Sequence, residues 1–238
     1  MAESVALCAV VGGAVYERYA EQLFESAREF FYPSDRVEFH TIPGEEGWPN
    51  GTLMRYHRLL ENMPRTDHVF LCDADMLFQG HVGSEILPTS GRPSLVLTLH
   101  PGYVGKPAGE LPFEDRPDSA CYVPPGKRRR YYCGAFVGGD RREFTEFARQ
   151  IKSRIDHDLA NGMTPCWVDE SAVNATAVSH IGDKVVLSPA YCHPDRDDYY
   201  LTFWSERYPR LLVALDKTAA ERAWRDGAAQ NRTGASAL

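Results

Sequence analysis

Asp73 and Asp75 stand one residue apart, directly after the apolar run Val69-Phe70-Leu71-Cys72. Four apolar residues are too few for a helix and read as a buried strand, so both carboxylates fall at its carboxyl end. From there they can approach one hard divalent cation, which in turn can bridge diphosphate oxygens. The alternative for aspartates at a strand end is to cap the following turn. Context favours the cation, because a buried strand that delivers two negative charges needs a compensating positive one. A second group is Trp167-Val168-Asp169-Glu170-Ser171, placed after the Asn161-Gly162 break. An indole can cover the apolar face of a sugar while neighbouring carboxylates accept hydrogen bonds from its hydroxyls. Acids gathered at a helix N-terminus account for the same residues. A third group is Tyr131-Tyr132-Cys133-Gly134-Ala135-Phe136-Val137-Gly138-Gly139, in which small residues permit close approach of a ligand or, equally, tight core packing. The preceding Lys127-Arg128-Arg129-Arg130 reads as a solvated loop face, with phosphate binding as the secondary reading. His100 is uninformative by spacing, since a lone histidine is usually structural.

These groups need elements to hold them. Val5 to Val11 is a continuous apolar run closed by Gly12-Gly13, and Leu23, Phe24, Ala27, Phe30 and Phe31 then recur at helical spacing. Val37 to Ile42 alternates into a Pro-Gly turn, and Leu53 to Met63 is helical up to Pro64. Leu95 to Leu99 and Tyr131 to Val137 read as strands. A long helix follows, with Phe144, Phe147, Ala148, Ile151, Ile155 and Leu159 as its apolar face. Glu170 to Val178 forms a further helix, and Val185 to Leu187 a short late strand. Alternating strands and helices predict an α/β fold whose mostly parallel sheet is covered on both faces, with ligands beyond the strand carboxyl ends. Pro101 to Pro125 carries six prolines and no helical pattern, which predicts an ordered functional loop or lid. We expect one domain over residues 1–217, and a tail at 218–238 that is mobile or ordered by a ligand.

Composition excludes several classes. The 238-residue chain is 11% aromatic, unlike a disordered chain, and its net charge of −7 disfavours nucleic acid or anionic membrane as the main partner. No apolar stretch approaches the ~20 residues of a membrane span, and no basic region precedes the first apolar run. The six cysteines contain no C-x-x-C pair, which fits a reducing, cytoplasmic setting without disulfides. The N-x-S/T triplets at Asn50, Asn174 and Asn231 are expected to be chance.

Taken in order, the motifs resemble those of glycosyltransferase family 6, which contains the histo-blood-group A and B transferases and the α-1,3-galactosyltransferases. The similarity runs from about Val5 to Lys217 through D-x-D-M-x-F-x-x-H-V-G, L-H-P-G, R-P-D-S-A-C-Y-V-P, Y-Y-C-G-A-F-V-G-G, D-x-A-N-G, W-x-D-E-S and L-S-P-x-Y. Each piece is short, and their shared order gives them weight. The resemblance implies a GT-A fold: a single Rossmann-like α/β domain with a mostly parallel central sheet and an elaborated C-terminal half. It implies transfer of galactose or N-acetylgalactosamine from a UDP-sugar to a glycan or glycoside hydroxyl, with α configuration retained and linkage α-1,3. Asp73 and Asp75 match the pair that binds Mn²⁺, or Mg²⁺, and the donor. Val11, Gly12 and Tyr16 match positions that hold uracil, and Arg55 one that faces the donor. Asp169 matches a carboxylate on donor-sugar hydroxyls, and Glu170 the nucleophile or oxocarbenium stabiliser. His100 and Trp167 match acceptor contacts. Lys217, with Arg222 or Arg225, resembles a basic tail that closes over the diphosphate.

Departures are informative. Val168 stands where the family has histidine, which removes one acceptor hydrogen bond. Pro194 replaces a late acidic acceptor contact, with Asp195 one position away. Both D-x-D aspartates are kept, so metal dependence is expected. Cys133 and Ala135, flanking Gly134, resemble the donor-sugar selector: Ala135 matches the galactose form, whereas the small Cys133 leaves room for an N-acetyl group. Mammalian relatives are Golgi-anchored, so a chain that begins almost at its first strand resembles a bacterial cytoplasmic form without a membrane anchor. Two rival readings are a carbohydrate-binding protein on a degenerate transferase fold, which binds sugar without turning over UDP-sugar, and a metal-dependent phosphohydrolase, indifferent to Glu170→Gln.

Overall fold

The computed structural model describes residues 3–87, 94–195 and 207–217. The expected tail, with Arg222 and Arg225, lies outside the described residues. Strand β1 (Val5–Val11) leads into α1 (Gly13–Phe30) and β2 (Val37–Pro43). Two short helices, α2 (Asn50–Leu53) and α3 (Arg55–Glu61), precede β3 (His68–Cys72), β4 (Met76–Phe78) and β5 (Ser94–Leu99). Then come β6 (Tyr132–Asp140), α4 (Arg141–Ala160), α5 (Val168–Ser179), β7 (Asp183–Leu187), β8 (His193–Pro194) and β9 (Leu212–Ala214).

Six strands form the central sheet in the order β2-β1-β3-β6-β5-β7. β1 is parallel to β2 and β3, and β5 to β7. β6 alone opposes its neighbours β3 and β5. It therefore starts at the end of the sheet where β3 finishes, and Asp73 donates its backbone N–H to the Ala135 carbonyl at 2.8 Å. Both faces of the sheet are covered, which is why its strands read as apolar runs rather than alternating ones. Val5, Leu7, Ala9 and Val11 pack with Leu23, Phe24 and Ala27 of α1, whereas Ala6 and Cys8 share a core with α3, α4 and α5.

α4 follows its sequence pattern. Asp140 caps it by accepting the N–H groups of Arg142 and Glu143, at 3.0 and 3.2 Å. Phe144, Phe147, Ala148, Ile151 and Ile155 are buried. Leu159 corrects the expected stripe, being 40% exposed. In that last turn the inward position belongs to Asp158, which accepts from Ser119 Oγ at 2.5 Å and the Ala120 N–H at 2.6 Å. The helix expected from Leu53 to Met63 is likewise corrected: it is interrupted at Met54, with φ −93° and ψ 1°. Arg55, the first residue of α3, points into the protein to acceptors on three other segments.

The proline-rich segment is ordered. Besides the Asp158 bonds, its buried Glu114 accepts from Arg116 Nε at 2.8 Å, Arg116 Nη2 at 2.7 Å and the Cys166 N–H at 2.8 Å, tying it to the loop before α5. A second sheet, β4-β9-β8, was not foreseen. It pairs β4 with β9 and returns the chain to the D-x-D turn, where the Leu215 N–H donates to the Asp75 carbonyl at 2.9 Å. All six cysteines are free, as expected, and Asn174 is fully buried, so its triplet is no glycosylation site. Among the described residues no helix is long and apolar enough to cross a membrane.

Candidate active site

Arg55 is the hub. Its Nη1 pairs with Asp73 Oδ1, its Nε with Asp169 Oδ2, and its Nη2 donates to the Gly134 carbonyl at 2.8 Å. Three elements meet at one guanidinium: the end of β3, the start of α5 and the start of β6. A Cβ at position 134 would overlap Arg55 Nη2, so glycine is required for this approach. Burial works against the guanidinium's charge, but Asp169 and then Asp73 outweigh it and hold Arg55 firmly protonated.

Beside the hub, Asp75 is 8% exposed and pairs with Lys217 Nζ at 2.6 Å. Burial first, then the like charge of Asp73, raises its pKa, opposed by Lys217. Lys217 Nζ also lies 5.6 Å from the centre of the Tyr16 ring. Tyr16, Gly12, Thr52, Arg55, Asp73 and Lys217 line one cavity at the carboxyl ends of β1 and β3. Gly12 is again a requirement of space, because a side chain there would overlap the Glu45 carbonyl. Glu45 and the 77% exposed Trp48 complete the wall on the side of α2.

Asp169 is 1% exposed and Glu170 is partly accessible at the start of α5. Burial lifts Asp169 to about 6 against the pull of Arg55. It lifts Glu170 to about 7 against the Gly134 N–H, which donates to Glu170 Oε2 at 3.0 Å. Just before them, Val168 has φ 49°. That left-handed conformation is an outlier for a β-branched residue and costs on the order of 1–2 kcal/mol. Asn174, one turn on, accepts from the Tyr132 N–H and donates Nδ2 to the Tyr132 carbonyl, both at 2.8 Å. It thereby locks α5 to β6.

On the far side of Glu170 lies an aromatic cluster. The Tyr131 ring sits 5.9 Å from His100, 5.3 Å from Tyr103 and 5.3 Å from Phe113, centre to centre. Burial lowers His100 to about 4, so it is neutral at pH 7, and its Nδ1 accepts the Gly102 N–H at 3.1 Å. Trp167, at the N-terminus of α5, is 51% exposed.

The structure brings together Gly12, Tyr16, Arg55, Asp73, Asp75, Gly134, Ala135, Asp169, Glu170 and Lys217. Cys133 is buried beside them in β6, whereas Val11 is buried in the core against α1 and does not line the cavity, which Val10 and Gly12 on either side of it do. Asp195 does not line the cavity: it follows β8, its N–H donates to the Ala214 carbonyl at 2.9 Å and its carboxylate accepts from Arg210 Nη2 at 2.7 Å. Sequence reasoning missed Glu45, Trp48, Thr52, Tyr103 and Asn174. Asn174 alone carried a signal: a polar residue four positions after Glu170, inside an otherwise apolar stretch.

The sequence profile of glycosyltransferase family 6 matches residues 52–203. The chain is 30% identical over 209 residues to globoside alpha-1,3-N-acetylgalactosaminyltransferase 1 of Homo sapiens, covering 76% of this chain and 58% of that protein. It is 38% identical over 152 residues to histo-blood group ABO system transferase 2 of Rattus norvegicus, covering 63% and 42% of the two chains. The chain thus matches 58% of the length of the first of these relatives and 42% of the second. Its α/β architecture, with strand-end carboxylates over a central sheet, agrees with that match: the chain belongs to glycosyltransferase family 6.

Proposed function

We propose that this chain is a retaining hexosyltransferase that moves galactose or N-acetylgalactosamine from a UDP-sugar, in α-1,3 linkage, to a glycan or glycoside hydroxyl. The observation that carries this is the double pairing of Arg55, which couples Asp73 of the D-x-D turn to Asp169 beside Glu170. One guanidinium thus fixes the spacing between a diphosphate end and a sugar end. The relatives' names, an α-1,3-N-acetylgalactosaminyltransferase and an ABO transferase, support the donor class.

Asp73 and Asp75 fit a divalent cation by chemistry: they are hard oxygen donors, and burial and then their mutual repulsion already raise Asp75. Among the described residues no His, Cys, Asp or Glu makes a third ligand with them. Two carboxylates suffice when diphosphate and water complete the shell. A bound Mn²⁺ or Mg²⁺ supplies charge neutralisation for the departing diphosphate. Lys217 adds a second positive charge at the same end, and Tyr16 and Gly12 offer the uracil a flat ring and an open backbone. Asp169, held by Arg55, accepts from donor-sugar hydroxyls. As the bond between the anomeric carbon and the phosphate oxygen breaks, its electron pair leaves with UDP. Glu170, ionised, faces the positive charge that develops on the carbon. The acceptor oxygen then bonds to that carbon and its proton passes to the departing diphosphate.

Incubation with Mn²⁺ and radiolabelled UDP-galactose or UDP-N-acetylgalactosamine tests this reading. Slow sugar release without acceptor is expected, and loss of release in chelator. Phosphate release from simple esters, unaffected by Glu170→Gln, supports a phosphohydrolase instead.

A further inference from the structure

The run Lys127-Arg128-Arg129-Arg130 has no part in the donor chemistry, yet the fold sets it on the acceptor side of the site. Arg130 directly precedes Tyr131, the centre of the ring cluster with His100, Tyr103 and Phe113. That cluster adjoins the reacting end: Tyr131 and Tyr103 are both raised by burial and then by the charge of Glu170. Cations border it on the outside. Lys106 Nζ lies 5.3 Å from the Tyr103 ring centre and the Arg128 guanidinium 5.8 Å from that of Phe113. Arg128 is fixed there by donating Nε to the Val123 carbonyl at 2.8 Å.

Lys106, Lys127, Arg129 and Arg130 are exposed. Among the described residues, none of these four or Arg128 is paired with a carboxylate. The segment's inner acid, Glu114, is taken by Arg116, which leaves exposed Glu110, Asp115 and Asp118 against five cations. In a chain of net charge −7 this is a local positive rim beside the partly exposed rings of His100 and Tyr103, with Tyr131 and Phe113 buried behind them. Guanidinium forks match phosphate oxygens in pairs, and a phosphate can engage more than one of them at once.

We propose that the acceptor is a glycan bearing a phosphate or diphosphate ester, with its anion on Lys127, Arg129 and Arg130 and its sugar over the partly exposed His100 and Tyr103 rings, which the buried Tyr131 supports from beneath. The proposal rests on the transferase reading above. The test compares initial transfer rates to a set of glycosides, each made as a neutral alkyl glycoside, a carboxylated one, a free sugar phosphate and an alkyl phosphate diester. At about 20 mM salt the phosphorylated forms should exceed the neutral one in kcat/KM by about tenfold or more, and the advantage should shrink at about 500 mM. The two phosphate forms distinguish a soluble sugar phosphate from a lipid-linked one, and a preference for either over the neutral glycoside supports the proposal. The triple variant Lys127→Glu, Arg129→Glu, Arg130→Glu should abolish the preference, with acceptor-free donor hydrolysis as the control for fold and donor site. If that variant misfolds, the salt response of the native protein and the milder pair Arg129→Gln, Arg130→Gln decide. Equal kcat/KM for neutral and phosphorylated acceptors, equal preference for carboxylate, or a preference that survives charge reversal overturns the proposal. A native protein that hydrolyses neither donor overturns the transferase reading itself.

Discussion

Glu170 is the residue whose charge the proposed transfer needs and whose surroundings resist it. Burial raises its pKa from 4.5 to about 7, with the Gly134 N–H opposing. Between those values the folded chain holds a proton that the unfolded chain has lost, so this group's contribution to stability falls as pH rises through the window and stays low above it. Glu170→Gln should therefore unfold at higher denaturant above pH 7, by about 2 kcal/mol, with the gain shrinking toward pH 4.5. The same variant should lose about 10²–10⁴ in kcat, while native kcat/KM should climb with an acid limb near pH 7. Parallel pH-rate and pH-stability profiles check both. Val168 offers a second test. Within a helix glycine is normally less stable than alanine, but at φ 49° the order should invert, Val168→Gly being about 1 kcal/mol more stable than Val168→Ala in urea titrations. The place of Asp73 and Asp75 was legible in the sequence, because a four-residue apolar run reads as a buried strand and sets both acids at its carboxyl end. Arg55 was not legible as the hub on physical grounds, since nothing in a lone arginine within a helical stretch says that three distant segments converge on it.

At the scale of elements, the site depends on how β6 and α5 are joined. Asn174 bonds both backbone groups of Tyr132 and also donates Nδ2 to the Glu170 carbonyl at 2.9 Å. Asn174→Ala strands those buried groups and should cost about 2–3 kcal/mol in denaturant unfolding, with a fall in kcat as Glu170 loses its fixed distance from Gly134. Glu114 plays the equivalent part for the loop before α5. Its pKa is drawn down to about 2, burial being outweighed by Arg116 and the Cys166 N–H. The sign is opposite to that of Glu170: its stabilisation is present above the ordinary value of 4.5 and is lost as pH falls toward 2. Glu114→Gln should flatten the acid end of the stability profile, as followed by circular dichroism. β1, β3 and β5 were readable because strands buried on both faces must be apolar throughout. The β4-β9-β8 sheet was not, since three-residue and two-residue strands carry no periodicity and their pairing links positions far apart in the chain. The break at Met54 escaped for a similar reason: helical spacing continues across it, and only the inward turn of Arg55 shows why the helix cannot.

At the scale of the whole molecule, the net charge of −7 conceals a division of labour. Buried acids collect at the strand ends, where Arg55 and Lys217 hold them, and bases that pair with no carboxylate among the described residues collect on the loop before β6. The antiparallel setting of β6 makes the division possible, because it begins at the end of the sheet where β3 stops and so carries its small residues to Arg55 and its basic approach to the ring cluster of His100 and Tyr103. Asp75→Asn should leave the melting profile near native, since the change is isosteric and removes a charge that burial and Asp73 disfavour, offsetting the lost pair with Lys217, while abolishing the metal response of activity. The measurement that bears most directly on the central claim is proton NMR of the product formed from UDP-galactose or UDP-N-acetylgalactosamine with Mn²⁺ and an acceptor array, with and without chelator. The account predicts an α-linked product, formed only when the divalent cation is present and absent in Asp75→Asn. A β-linked product, or no UDP release from either donor in Mn²⁺, would contradict it.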